Sequence, residues 1–105
     1  MDSENRVFTV VISEEAAQML VSHARFLAQV SEAAAQRLIE DFQSKAKSLE
    51  QYPERNPALM DPLITPAKYR KLLLEKRYLL IYQIKGSIVY VDAVVDTRQD
   101  YGWLL

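Results

Sequence analysis

All four prolines of this 105-residue chain lie between Pro53 and Pro66, and the sequence changes character across them. Proline fixes φ and has no backbone donor, so neither a helix nor an interior strand runs through such a stretch. The residues before 53 and after 66 must therefore form their elements separately. On the N-terminal side apolar residues recur mostly at three- and four-residue steps, and on the C-terminal side they alternate or run together. Residues 53–66 have no periodicity and read as a proline-stiffened crossover from helix to sheet, long enough to invite a partner-contact role as well.

Arg6–Ile12 is nearly continuous in β-branched and aromatic residues, which predicts a strand buried on both faces. Ser13 follows as an N-cap with Glu14 and Glu15 in the first turn, where carboxylates oppose the positive end of the helix dipole. Ala16, Leu20, His23, Leu27 and Val30 then mark one stripe of a helix from Glu14 to about Gln29. Ser31 repeats the cap, and Ala35, Leu38, Ile39, Phe42, Ala46 and Leu49 carry a second helix toward Gln51. So short a connection folds the two back as a helical hairpin. Beyond the prolines, Tyr69–Leu74 and Arg77–Ile84 flank a tight Glu75-Lys76 turn, and Arg77–Ile84 and Ile88–Val95 flank Gly86-Ser87. The expected fold is α+β in the order β-α-α-β-β-β: a single domain over residues 1–105, with an antiparallel meander, an N-terminal strand at its edge or centre, and the helical hairpin on one face.

Composition narrows the chemistry. Half of the residues are hydrophobic, enough for one core, and there is no cysteine. Disulfides, thiolate nucleophiles and cysteine-ligated metals are thereby excluded. One histidine, His23, is too few for a multi-imidazole metal site, so neither metal nor cofactor is expected. No apolar run approaches the roughly 20 residues of a membrane helix, and Met1–Ile12 lacks the pattern of a signal peptide, so a cytoplasmic protein without a membrane partner is expected. Phosphate loops and nucleophile–base motifs are missing too, which argues against a small-molecule enzyme.

The net charge of −1 hides an asymmetry. Residues 1–66 carry six basic and ten acidic side chains, whereas residues 67–105 carry seven basic and four acidic ones. With a two-residue turn at Gly86-Ser87, strict alternation places Tyr78, Leu80, Tyr82 and Ile84 with Val89, Val91, Ala93 and Val95 on the helix-facing side. The opposite face then gathers Arg70, Arg77, Tyr90, Asp92, Asp96 and Arg98, with Arg77 directly across from Asp96. Three guanidiniums on one face match the forked geometry of a phosphate, and a solvated face of paired charges is the alternative.

The element order, the segment Tyr69-Arg70-Lys71-Leu72, the run Lys76-Arg77-Tyr78-Leu79-Leu80-Ile81-Tyr82 and the ending Val94-Val95-Asp96-Thr97-Arg98-Gln99-Asp100-Tyr101 resemble the RelE/ParE superfamily of bacterial toxins. The resemblance implies a type II toxin neutralised by a cognate antitoxin protein. It also implies one of two targets: ribosome-bound mRNA, cut by RelE-like endoribonucleases, or DNA gyrase, poisoned by ParE-like members. On the first reading Arg70, Arg77, Arg98 and Tyr101 are the catalytic set, with Asp96 as a base if it were freed from Arg77, and Lys68, Lys71 and Lys76 contact nucleic acid. Ribonucleolysis needs a base for the 2′-hydroxyl, an acid for the 5′-oxygen and positive charge on the phosphorane. Asp96 stands where many relatives place histidine or a basic residue, and the near-neutral chain departs from the strongly basic RNA cutters. A third outcome is a binding module that keeps the fold and antitoxin contacts without toxicity. The sequence leans toward mRNA cleavage, with His23 as a packing residue.

Overall fold

A computed structural model describes residues 7–60 and 68–98. The elements are β1 (Thr9–Ile12), α1 (Glu14–Ala28), α2 (Glu32–Ser48), a 3-10 turn at Pro53–Arg55, β2 (Arg70–Leu74), β3 (Tyr78–Lys85) and β4 (Ile88–Asp96). They form a four-stranded mixed sheet in the order β1-β4-β3-β2, with β1 parallel to β4 and the other pairs antiparallel. The parallel pair follows from the crossover, because two helices separate β1 from the meander.

Both helix starts are those the caps specify. The Ser13 and Ser31 hydroxyls accept hydrogen bonds from the N–H groups of Ala16 and Ala34, at 2.9 and 3.1 Å. The inner stripe of α1 is Ala16, Leu20 and Ala24, and that of α2 is Ala35, Leu38, Phe42 and Ala46. Of these, Ala16, Leu20, Leu38, Phe42 and Ala46 pack with Phe8, Leu49, Leu74, Tyr78, Leu80, Tyr82, Val89, Val91 and Val94 in the main core. Val30, placed on the buried stripe by its spacing, is instead 86% exposed, because it lies just past the end of α1 in the turn between the helices.

Three further expectations are corrected. β1 is an edge strand with Val11 and Ile12 exposed, not one buried on both faces, and Arg6 lies outside the described residues. The β2–β3 connection has three residues, since Leu74 pairs with Tyr78 and the Arg77 N–H closes the turn on the Leu74 carbonyl at 3.0 Å. The β3–β4 register starts as expected, Lys85 opposite Ile88, but shifts by one between Ile81 and Tyr82, so that Tyr82 pairs with Val91 and Ile81 with Ala93. Asp92 is the extra residue of a β-bulge, and beyond it every β4 side chain changes face. Val94 therefore enters the main core, while Ala93 and Val95 join Leu79, Ile81 and Leu59 in a second apolar cluster.

Candidate functional site

The register decides where the basic residues go. Arg70 pairs with Tyr82, and Leu72 and Leu74 with Leu80 and Tyr78, so these β2 residues share the helix-facing side. Asp96 pairs with Tyr78 and lies on that side too. Arg77 belongs to no strand. The expected outer-face cluster of Arg70, Arg77, Tyr90, Asp92, Asp96 and Arg98 is thus divided. Arg70 and Leu74 are at opposite ends of β2, about 13 Å apart at the usual rise per residue.

At the first end the Arg70 guanidinium donates from Nη1 to the carbonyls of Glu54 and Asn56, at 2.9 and 2.6 Å. Beside it the Tyr82 hydroxyl donates to the Pro53 carbonyl at 2.6 Å and accepts from the Asn56 amide at 3.0 Å. Burial, opposed by the Asn56 hydrogen bond and the Arg70 charge, raises the Tyr82 pKa above its ordinary value. Arg70 is thus a clamp on the segment that follows α2. Lys68 is nearby, its ammonium 5.2 Å from the Tyr69 ring centre, and Lys71 is half-buried.

The second end is built on a turn whose central residues, Glu75 and Lys76, both have positive φ, 46° and 62°. Non-glycine residues rarely adopt this conformation. The turn brings Arg77 over the Tyr78 ring, 5.4 Å from its centre, and against Asp96, with Nη2 and Nε at 3.3 and 3.4 Å from Oδ2. The other carboxylate oxygen accepts the Arg98 N–H at 2.9 Å. The Arg98 guanidinium is largely exposed, its Nε 3.9 Å from Oδ1. Burial by itself would raise the Asp96 pKa, but the Arg98 N–H, the Arg77 hydrogen bonds and both arginine charges outweigh it, so the carboxyl stays below the ordinary range. Burial also raises the Tyr78 pKa, against the opposing charge of Arg77, so the phenol remains protonated at neutral pH. Lys76 is exposed on the turn, and Tyr101 lies outside the described residues.

His23 completes this end and was not among the expected site residues. Its Nε2 lies 2.9 Å from the Val94 carbonyl, which assigns the proton to that nitrogen, and its ring centre is 4.9 Å from that of Tyr78. The stripe spacing places His23 toward the sheet. Its partner, 71 residues away, depends on the shifted register.

In chemical terms the second end is an anchored ion cluster. Asp96 has both oxygens engaged by cationic or backbone donors, the opposite of what a general base requires. Among the described residues, no group of three His, Asp or Glu side chains is placed to hold a metal ion.

The family model described as the ParE toxin of the type II toxin-antitoxin system parDE matches residues 10–101. The chain belongs to this family. Among solved structures, the fold is similar to a chain of the chromosomal ParDE toxin–antitoxin system from P. aeruginosa, with a TM-score of 0.68. The two are 16% identical, and the match covers 88% of this chain and 98% of the other. No curated protein matches. Family membership makes the chain a small toxin with an antitoxin partner. No helix among the described residues is long and apolar enough to cross a membrane.

Proposed function

We propose that this ParE-family toxin acts by binding and poisoning DNA gyrase and does not cut mRNA. The observation that carries the reading is the commitment of the polar groups ribonucleolysis would need. Asp96 is held by Arg77 and the Arg98 N–H, and Arg70 is occupied by two carbonyls some 13 Å along β2. A scissile phosphate needs convergent guanidiniums and a free proton acceptor within about 3 Å of the reacting atoms. A binding toxin needs only a rigid surface, which these same contacts supply. The near-neutral charge agrees, because contact with an RNA backbone is dominated by cationic neutralisation.

The test is induced expression of the toxin without its antitoxin, together with purified gyrase and plasmid DNA. The expected results are growth arrest with double-strand DNA breaks in cells and trapped gyrase–DNA cleavage complexes in vitro. Codon-phased cuts in ribosome-bound message, with intact DNA, would overturn the proposal and restore the ribonuclease reading. Undisturbed growth at full expression would overturn both and leave a binding module.

A further inference from the structure

The hairpin between β2 and β3 turns on Glu75 and Lys76, whose φ angles are 46° and 62°. Hairpins meet such a requirement with Asn-Gly, Asp-Gly or Gly-Gly, because a Cβ is crowded in this conformation. Strain of this kind persists only where the surroundings hold it, and it collects at functional sites.

Here α2 and the chain that follows it do the holding. Loop backbone closes the β2 edge, with the Leu59 N–H donating to the Tyr69 carbonyl at 2.8 Å and the Lys71 N–H to the Pro57 carbonyl at 3.1 Å. Farther along, the Lys45 ammonium donates to the Leu73 carbonyl at 2.7 Å and pairs with Asp41 at 3.3 Å. Asp41 in turn accepts the Glu75 N–H at 2.9 Å, and Arg37 lies 3.5 Å from the Glu75 carboxylate. On the other flank the Arg77 carbonyl accepts both the N–H and the hydroxyl of Thr97, at 2.8 and 2.7 Å. The tip of the hairpin is thus fixed from two sides.

What the fixed tip presents is positive charge. The β3–β4 pairing ends with Tyr78 opposite Asp96, and the Thr97 bonds carry it one step on to Arg77. The next residues on the two sides are Lys76 and Arg98. Lys76 is exposed, and the Arg98 side chain is 65% exposed. Asp96 stands between two guanidiniums, Arg77 at 3.3 Å and Arg98 at 3.9 Å. One carboxylate balances one of them, so among the described residues the other guanidinium and Lys76 are in excess, while Glu75 is turned to Arg37.

We propose that Lys76 and Arg98 contact two backbone phosphates of the DNA held in the gyrase complex, with Arg77 and Asp96 as their rigid mount. The inference rests on the gyrase reading and adds DNA to the surface the toxin recognises. An ammonium and a guanidinium fork are the side chains suited to phosphate. Each DNA strand carries one phosphate per about 3.4 Å of axis, so two cations at one tip find partners in any sequence. An acidic protein patch would need carboxylates placed to match. Two contacts to DNA that gyrase already holds also need none of the wide basic surface of a free-standing nucleic-acid binder, in agreement with a net charge of −1.

The test uses purified toxin, gyrase and plasmid DNA, with Lys76→Gly and Arg98→Gln combined in one variant. Glycine is favoured at φ of 62°, so the first change removes the ammonium and relieves the turn. The second leaves the backbone N–H of residue 98 on Asp96. The melting temperature is therefore expected not to fall. Trapping of cleavage complexes is expected to need at least about tenfold more variant than wild type at about 50 mM salt. Most of that deficit should be gone at about 200 mM, because two phosphate contacts account for roughly a tenfold change over this range. Binding to gyrase without DNA is expected to match wild type. Trapping at wild-type concentrations, or a deficit equal at both salts, overturns the phosphate contacts. A parallel loss of binding to gyrase without DNA overturns them in favour of an acidic protein patch. A wild type that neither binds gyrase nor traps complexes overturns the gyrase reading, and this inference with it.

Discussion

Replacing Asp96 by Asn separates an anchoring carboxylate from a catalytic one. The Asp96 side chain is 4% exposed and that of Arg77 27%, so the pair is shielded from water but not sealed. Asn keeps an oxygen for the Arg98 N–H, and the loss is confined to the charge-assisted contacts with Arg77. At 3.3 and 3.4 Å these are long, and together they count as about one charged hydrogen bond, roughly 2 kcal/mol. For a domain of this size that corresponds to a fall in melting temperature of about 10 °C. The pH dependence gives a sharper signature. The folded-state pKa of Asp96 is depressed, so its stabilisation is fully present above about pH 5 and is lost as pH falls through the folded value. Thermal denaturation from pH 7 to pH 3 is therefore expected to show a wide gap between wild type and Asp96→Asn at pH 7 that starts to narrow near the unfolded carboxyl value, about pH 4, and keeps narrowing as pH falls further. A gap under about 2 °C at pH 7, or one that widens on acidification, would refute the anchoring argument.

Arg70→Ala is expected to cost about 1–2 kcal/mol through its two lost carbonyl contacts, read as a lower denaturant midpoint at unchanged slope. Limited proteolysis near Pro53–Arg55 should accelerate, while gyrase poisoning at 25 °C persists. Tyr82→Phe leaves the Pro53 carbonyl and Asn56 amide without their partner, for a similar loss of about 1–2 kcal/mol in chemical denaturation. Gly86 has φ of 61° with open space where a Cβ would stand, so Gly86→Ala should cost about 1 kcal/mol from backbone strain alone, and Gly86→Asn less. Equal stability of all three at this position would show that the turn relaxes.

The helices were legible because their determinants are local. A serine cap followed by acids and a 3.6-residue stripe specify an N-terminus with no knowledge of the sheet, and the Ser13 and Ser31 bonds formed accordingly. The Gly86-Ser87 hairpin was legible for the same reason, since only the turn pair Lys85–Ile88 has to be right. The candidate site was less so. Ala93-Val94-Val95 is apolar at both parities, so alternation there is satisfied by either register. Packing chose the one that puts Val94 under α1, with Asp92 displaced into the bulge and hydrogen-bonded to Gln83. At the other turn, Glu-Lys at positive φ has no sequence signature, because the conformation is held by its surroundings.

The sequence by itself determined the order of elements, the helical hairpin, the division at the prolines and the family, all properties of neighbouring residues or of short motifs. Only the tertiary structure decided which side of the sheet Arg70 takes, that Asp96 is an anchor, and that the β2 edge of the sheet is closed. Those outcomes depend on a one-residue shift of register and on contacts such as Lys45 with Leu73 and Arg70 with Glu54. Their free energy comes from groups far apart in the chain, and no local pattern encodes it.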